Sequence, residues 1–180
     1  MRVSVWTGAL SLSLALFASS TLAAEPLLDD VDRALPTFDL ASVGDGQWQA
    51  ERLLGKPWVI NFWATWCPPC VEEIPSMNAA WQALESEGVG MLAINAGEGQ
   101  EAVDAFLKKI PIDFPTLLGD VNSLNNWSVM ALPTTLIVNS QGQVVHEALG
   151  PREWDDPVLL EKVLELREST DDAASVETSN

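Results

Sequence analysis

The chain has no tyrosine, one histidine and only two cysteines, and its 9 Lys+Arg face 26 Asp+Glu. The shortage of basic residues leaves a formal charge of −17 at pH 7. Such a surface repels nucleic acid and anionic lipid headgroups, so neither is expected as a partner. The acidity itself reads as solubility, and would also suit salty surroundings. Two cysteines and one histidine leave a zinc site short of its usual four ligands unless Asp or Glu completes it, and no second ligand pair is visible. There is no flavin or nicotinamide fingerprint and no internal repeat. What is present is 180 residues, 47% of them hydrophobic, with eight tryptophans. That is enough for one domain with a real core.

Residues 1–24 read as an export signal. Arg2 gives a positive start, Ala9 to Ala18 is an apolar run diluted by serines, and Leu22-Ala23-Ala24 offers small residues for cleavage. The alternative is an uncleaved membrane anchor, since residues 3–24 supply about the 20 residues that a span requires. Both readings place the folded part outside the cytoplasm, in the periplasm or an equivalent compartment. Residues 25–34 are expected to form a loosely held leader, and the tail from Glu168 to Asn180 an acidic, disordered end.

Export changes how Cys67 and Cys70 are read. Extracytoplasmic cysteines tend to be paired. A bridge over two intervening residues closes a tiny loop and removes little unfolded-chain entropy, so it is a poor staple. A reversible redox role is the better use. The segment Asn61-Phe62-Trp63-Ala64-Thr65-Trp66-Cys67-Pro68-Pro69-Cys70 joins an apolar strand to a helix. That helix carries Val71, Ile74, Met77, Trp81 and Leu84 on one face, with Pro75 inside it as an expected kink.

Around this unit the pattern is α/β. A weak edge strand over 35–41 and a short one near Trp48 precede the strand Trp58 to Trp63. After the cysteine helix come a second buried strand over Val89 to Ala96 and an amphipathic helix marked by Val103, Phe106, Leu107 and Ile110. A hairpin pairs Thr134 to Asn139 with Gln143 to Leu149, and a last helix starts at Asp156-Pro157. The first units imply parallel strands and the hairpin adds antiparallel ones, which gives a central mixed β-sheet flanked by helices, with an N-terminal strand extension.

Cys67 at the helix start meets free backbone amides and the positive end of the dipole, which lower its pKa. Cys70, one turn in, is expected to be buried. Cys67 would then attack a substrate disulfide, and Cys70 would resolve the mixed disulfide. A copper-binding module or metallochaperone using Cys67, Cys70 and His146 is the alternative from another class. In that competition His146 reads as an exposed strand residue. A dithiol oxidant with the same chemistry run backwards is the third reading.

The stretch from Asn61 to Cys70, with Glu73 and Pro75, resembles the signature of exported thioredoxin-like proteins of the TlpA/ResA type, relatives of the thioredoxin-like proteins of cytochrome c maturation. Gly55-Lys56-Pro57 before the strand and Leu132-Pro133-Thr134-Thr135-Leu136-Ile137-Val138 followed by Gly142 extend the match across residues 35–166. The resemblance implies a thioredoxin fold over 35–167 and thiol-disulfide exchange, with the Cys67–Cys70 disulfide in place of any cofactor. It further implies that Pro133 is a cis-proline facing the cysteines. The Leu132 backbone would then be free to pair with substrate in β-strand fashion. Glu73 would accept or relay a proton. Trp66 is expected to shape the surface beside Cys67. Two departures matter. Asn61 stands where cytoplasmic thioredoxin has a buried acid, and it cannot exchange a proton. Pro68-Pro69 lacks the histidine of strong oxidants, which favours the reductant. The expected partners are disulfide-containing exported clients and a membrane thiol donor.

Overall fold

The computed structural model describes residues 27–177. Six side chains in a row, Trp58–Trp63, form strand β4, and all six are buried. A strand buried on both faces needs neighbours at both edges and a packed layer on each face. Parallel β5 (Gly90–Asn95) lies on one side and antiparallel β7 (Thr134–Val138) on the other. Numbered in chain order, the remaining strands are β1 (Asp29–Ala34), β2 (Asp39–Ser42), β3 (Gln47–Gln49), β6 (Thr116–Leu118) and β8 (Gln143–Leu149). The eight form one mixed sheet in the order β1-β8-β7-β4-β5-β6-β2-β3. The helices are α1 (Pro68–Glu85), α2 (Gln100–Leu107), α3 (Val121–Asn126) and α4 (Pro157–Glu177), with a 3₁₀ turn at Ala50–Leu53.

Side chains alternate between the two faces of β4. Val59 and Trp63 join Met77, Ala80 and Leu84 of α1 and Leu159 and Val163 of α4 in one core. Trp58, Ile60 and Phe62 join Trp48, Leu53 and Trp127 in the other. Most of the described tryptophans therefore serve as core volume; Phe62 and Trp127, for example, meet edge to face at 5.3 Å between ring centroids. Asn61 is in phase with Val59 and Trp63, so it faces α1. Its register partner across the β4–β7 ladder is Thr135, which shares that face with Ile137. The alternation thus sets two polar side chains together on an otherwise apolar surface, under the helix that carries the cysteines.

Most expected elements are present, with three corrections. The expected leader is not loose from Asp29 on: β1 pairs antiparallel with β8, and Arg33 reaches Glu147 at 2.8 Å. The short acidic run alternates Val31 and Arg33 with Asp30 and Asp32, a pattern that suits an edge strand. The weak strand expected at 35–41 forms instead at Asp39–Ser42, beside β6 and β3. The closing helix continues past Glu168 to Glu177, through a stretch that holds neither Gly nor Pro to stop it. The export signal or anchor at 1–24, the leader residues Glu25 and Pro26, and the last residues of the tail lie outside the described residues. Among the described residues no helix is long and apolar enough to cross a membrane.

Gly90, the first residue of β5, lies against the face of the Trp58 indole. A Cβ there would sit 2.3 Å from Trp58 Cε3, and Trp58 is itself buried and cannot swing aside. Gly90→Ala should therefore destabilise the fold by about 1–3 kcal/mol in denaturant titration, as overpacking does. Gly44→Ala, whose nearest neighbour would be 3.9 Å away, should change stability by less than about 0.5 kcal/mol.

Candidate functional site

The chain leaves β4 at Trp63 and turns through Ala64, Thr65 and Trp66 into α1. Cys67 is the N-cap of that helix, with extended backbone at φ −100° and ψ 99°. Pro68 and Pro69 follow at the first helical positions, where a missing N–H costs nothing. They also remove two of the amides expected to face Cys67. The first N–H left in the helix belongs to Cys70, and it donates to Cys67 Sγ at 3.3 Å. One aimed donor thus replaces the several expected.

The two sulfurs are joined in a disulfide, with the Cα atoms 5.3 Å apart. Cys67 retains 5% exposure while Cys70 has none, so an incoming sulfur can reach only Cys67. The turn is braced by Glu98, which follows β5. Its carboxylate accepts from the Thr65 amide at 2.7 Å, from the Thr65 hydroxyl, and from Asn95 Nδ2 at 2.9 Å. Burial pushes the Glu98 carboxyl up, but these bonds outweigh it and hold the group below its ordinary value. From the sequence Glu98 reads as part of a polar turn and nothing more.

Glu73 lies one turn beyond Cys70 on the same helix, on the face that meets Asn61 and Thr135. It is 3% exposed. Asn61 Nδ2 donates to Oε1 at 2.8 Å and to Thr135 Oγ1 at 2.9 Å. Trp154 Nε1 donates to Oε2 at 3.1 Å, and the Arg152 amide to the same oxygen at 3.3 Å. Burial pushes the Glu73 carboxyl up from 4.5 to about 7, against the opposing pull of these bonds and of the Arg152 charge. Its neighbour Glu72 is exposed. Sequence reasoning missed Thr135, Arg152 and Trp154. The one available signal was a lone tryptophan in the polar run Arg152-Glu153-Trp154-Asp155-Asp156.

Beside Cys67 opens a groove of about 520 Å³, with Trp66, Pro68, Val129, Met130 and Leu132 among its walls. None of the ten residues lining it carries a charge. Trp66 is 66% and Met130 93% exposed, a large apolar offering for two neighbouring side chains. The Leu132–Pro133 peptide bond is cis, and β7 begins immediately after it. The structure thus gathers Cys67, Trp66 and Leu132 at one opening, with Cys70 bonded to Cys67 but fully buried and Glu73 one turn further along α1. It does not bring His146 there. That ring is on β8, half-buried rather than exposed, with Nδ1 2.8 Å from Asp30 Oδ1. Among the described residues no three His, Cys, Asp or Glu side chains gather as a metal site would need.

Comparison with known proteins agrees with this geometry. Residues 31–147 match the model of the AhpC/TSA family. The chain is 37% identical over 116 residues to the thiol-disulfide oxidoreductase ResA of Bacillus subtilis (strain 168), a match covering 64% of this chain and 65% of that protein. It is 32% identical over 127 residues to the protein of the same name from Geobacillus kaustophilus, covering 70% and 73%. Among solved structures, a thiol:disulfide interchange protein of the thioredoxin family from Chlorobium tepidum TLS superposes with a TM-score of 0.65 at 26% identity, covering 76% of this chain and 99% of that one. The fold is that of thioredoxin.

A buried carboxyl raised from 4.5 to about 7 holds its proton more tightly folded than unfolded. Its contribution to stability is full below about pH 4.5 and is lost as the pH rises through about 7. Oxidised wild-type protein should therefore lose about 3 kcal/mol relative to Glu73→Gln across that window in denaturant titrations. Parallel pH profiles for the two proteins would contradict the raised value.

Proposed function

The chain belongs to the AhpC/TSA family, with thiol-disulfide oxidoreductases among its relatives, and from that premise we propose that it is an extracytoplasmic disulfide reductase for exported proteins. The asymmetry of the cysteine pair carries the reading: one sulfur at the surface of an uncharged groove, the other fully buried behind it. In the reduced protein Cys67 Sγ, as the thiolate, attacks a client disulfide. A mixed disulfide forms and one client thiolate leaves. Cys70 then attacks Cys67 Sγ, and the second client thiolate leaves. The client has gained two electrons, and the protein is left with the Cys67–Cys70 disulfide.

Glu73 is the proton acceptor for Cys70. Its carboxyl, balanced near neutral pH, can take the thiol proton and return it when the pair is reduced again. Asn61 donates to Glu73 and moves no proton. Trp66 and Leu132 hold the client, with the backbone around Leu132 and Pro133 offering an edge for an extended segment. The uncharged walls favour apolar residues beside the client cysteine. The charge of −17 on the whole chain disfavours acidic clients.

Regeneration requires two electrons from a thiol donor at the membrane, which would attack Cys67, the reachable sulfur. The N-terminal export signal supports a periplasmic or equivalent location, and residues 3–24, if retained, would anchor the protein at the inner membrane. Apocytochrome c, a copper-centre assembly protein and damaged exported proteins are the client classes that fit.

Trapping tests the assignment. Cys70→Ser should accumulate mixed disulfides through Cys67 when expressed with its natural clients, and Cys67→Ser should accumulate none. Adducts that persist in Cys67→Ser, or an absence of adducts in Cys70→Ser, would reverse or remove the assigned roles.

A further inference from the structure

Each oxygen of the Glu73 carboxylate is held by a different part of the fold. Oε1 faces the sheet and accepts from Asn61. Oε2 faces the loop between β8 and α4 and accepts from the Trp154 indole and the Arg152 amide. Beyond Oε2 lies a cleft of about 200 Å³ lined by Glu72, Glu73, Pro151, Arg152 and Glu153. A glutamate side chain is flexible, and water in that cleft would solvate a carboxylate that turned outward. Something must keep it inside. We propose that Trp154 is a positioning residue for Glu73, holding Oε2 so that the carboxylate stays against Asn61, one helical turn from Cys70.

The way Trp154 is seated supports this. It is 2% exposed, and its own amide donates to Ser76 Oγ at 3.1 Å. That hydroxyl lies 2.9 Å from the Glu73 carbonyl and 3.3 Å from the Arg152 carbonyl. The indole is therefore docked on the same turn of α1 that carries Glu73. The Arg152 guanidinium pins the loop by donating to the carbonyls of Leu27, Leu149 and Pro151. Nor does the indole bond follow from burial alone. Trp58, Trp63 and Trp127 are also buried, and their Nε1 atoms have no hydrogen-bond partner.

An indole N–H can only donate. So can the Asn61 amide nitrogen and the Arg152 amide. Both carboxylate oxygens thus face donors, and protonation of either one costs a bond. Trp154 consequently favours the charged form of Glu73, against the burial that disfavours it. The other titratable and charged groups around Glu73 are Cys70 and Glu72 from α1, Cys67 at its N-cap, and Arg152 and Glu153 from the loop. Asn61 of β4 and Thr135 of β7 are neutral. Removing the indole N–H changes none of these.

The catalytic meaning of the inference rests on Glu73 as the proton acceptor, but its test does not. In the oxidised full chain, the Trp154 indole ¹H–¹⁵N resonance should titrate with the same midpoint as the Glu73 side-chain ¹³C resonance, while those of Trp58, Trp63 and Trp127 stay still. Glu73→Gln should abolish that titration. In Trp154→Phe the Glu73 midpoint should rise by about one pH unit, and any inflection that Glu73 gives the pH profile of disulfide reduction should rise with it. An indole that does not titrate, or a Glu73 midpoint unmoved in folded Trp154→Phe, overturns the proposal. Should Trp154→Phe fail to fold, the wild-type indole titration decides alone. If Glu73→Gln leaves the pH profile of reduction unchanged, the proton-acceptor reading fails, and the two midpoints still decide the positioning claim.

Discussion

The site depends on a carboxylate buried where carboxylates are expensive. Glu73 sits between α1 and the sheet, almost out of reach of water, and a charge in that position needs bonded donors. The fold supplies three, from two parts of the chain. Asn61 comes from the central strand, held in place by its bond to Thr135. The Arg152 amide and the Trp154 indole come from the loop that leads into α4. Because burial still outweighs these bonds, the group is balanced near neutrality. A more generous set of donors would fix it charged, and an apolar pocket would fix it protonated. Neither would suit the proton-accepting role proposed for Glu73.

The cysteine pair is placed by the same strand-to-helix turn. Two prolines in a row strip the helix start of its outermost amides and leave the Cys70 N–H as the donor to Cys67 Sγ. A thiolate on Cys67 is therefore stabilised by the helix end and one aimed bond, with no histidine between the cysteines to add a charge. A nearby carboxylate acts against any thiolate on Cys70. Both features limit how far the reduced form is stabilised, and a reduced form with little stabilisation gives up electrons readily. The proposed direction of the chemistry thus rests on what surrounds the sulfurs rather than on their spacing, which oxidants and reductants share.

Much of this was legible in the sequence. The apolar run Trp58–Trp63 marked the central strand, and the two cysteines with the helix after them marked the reaction. The distal Leu132-Pro133 stretch was tied to them by resemblance. What was not legible came from contacts between residues far apart in the chain. The bond between Trp154 and Glu73 spans 81 positions, and no periodicity points from one to the other. Asn61 read as the loss of a proton site. Only its register with Thr135 and its reach to Oε1 show that it holds the acid that remains. Glu98 looked like turn material because its work is done on Thr65, 33 residues earlier. The acidic segment at Asp29–Ala34 looked like a loose leader because its stability comes from β8 and not from its own composition.

On the function proposed, these surroundings make the pair a reductant. The most direct measurement is the reduction potential of the Cys67–Cys70 couple, read from the oxidised fraction after equilibration in dithiothreitol redox buffers. A reductant should give a value in the range of thioredoxin, at about −270 mV. A value near about −120 mV, that of a strong oxidant, would contradict it.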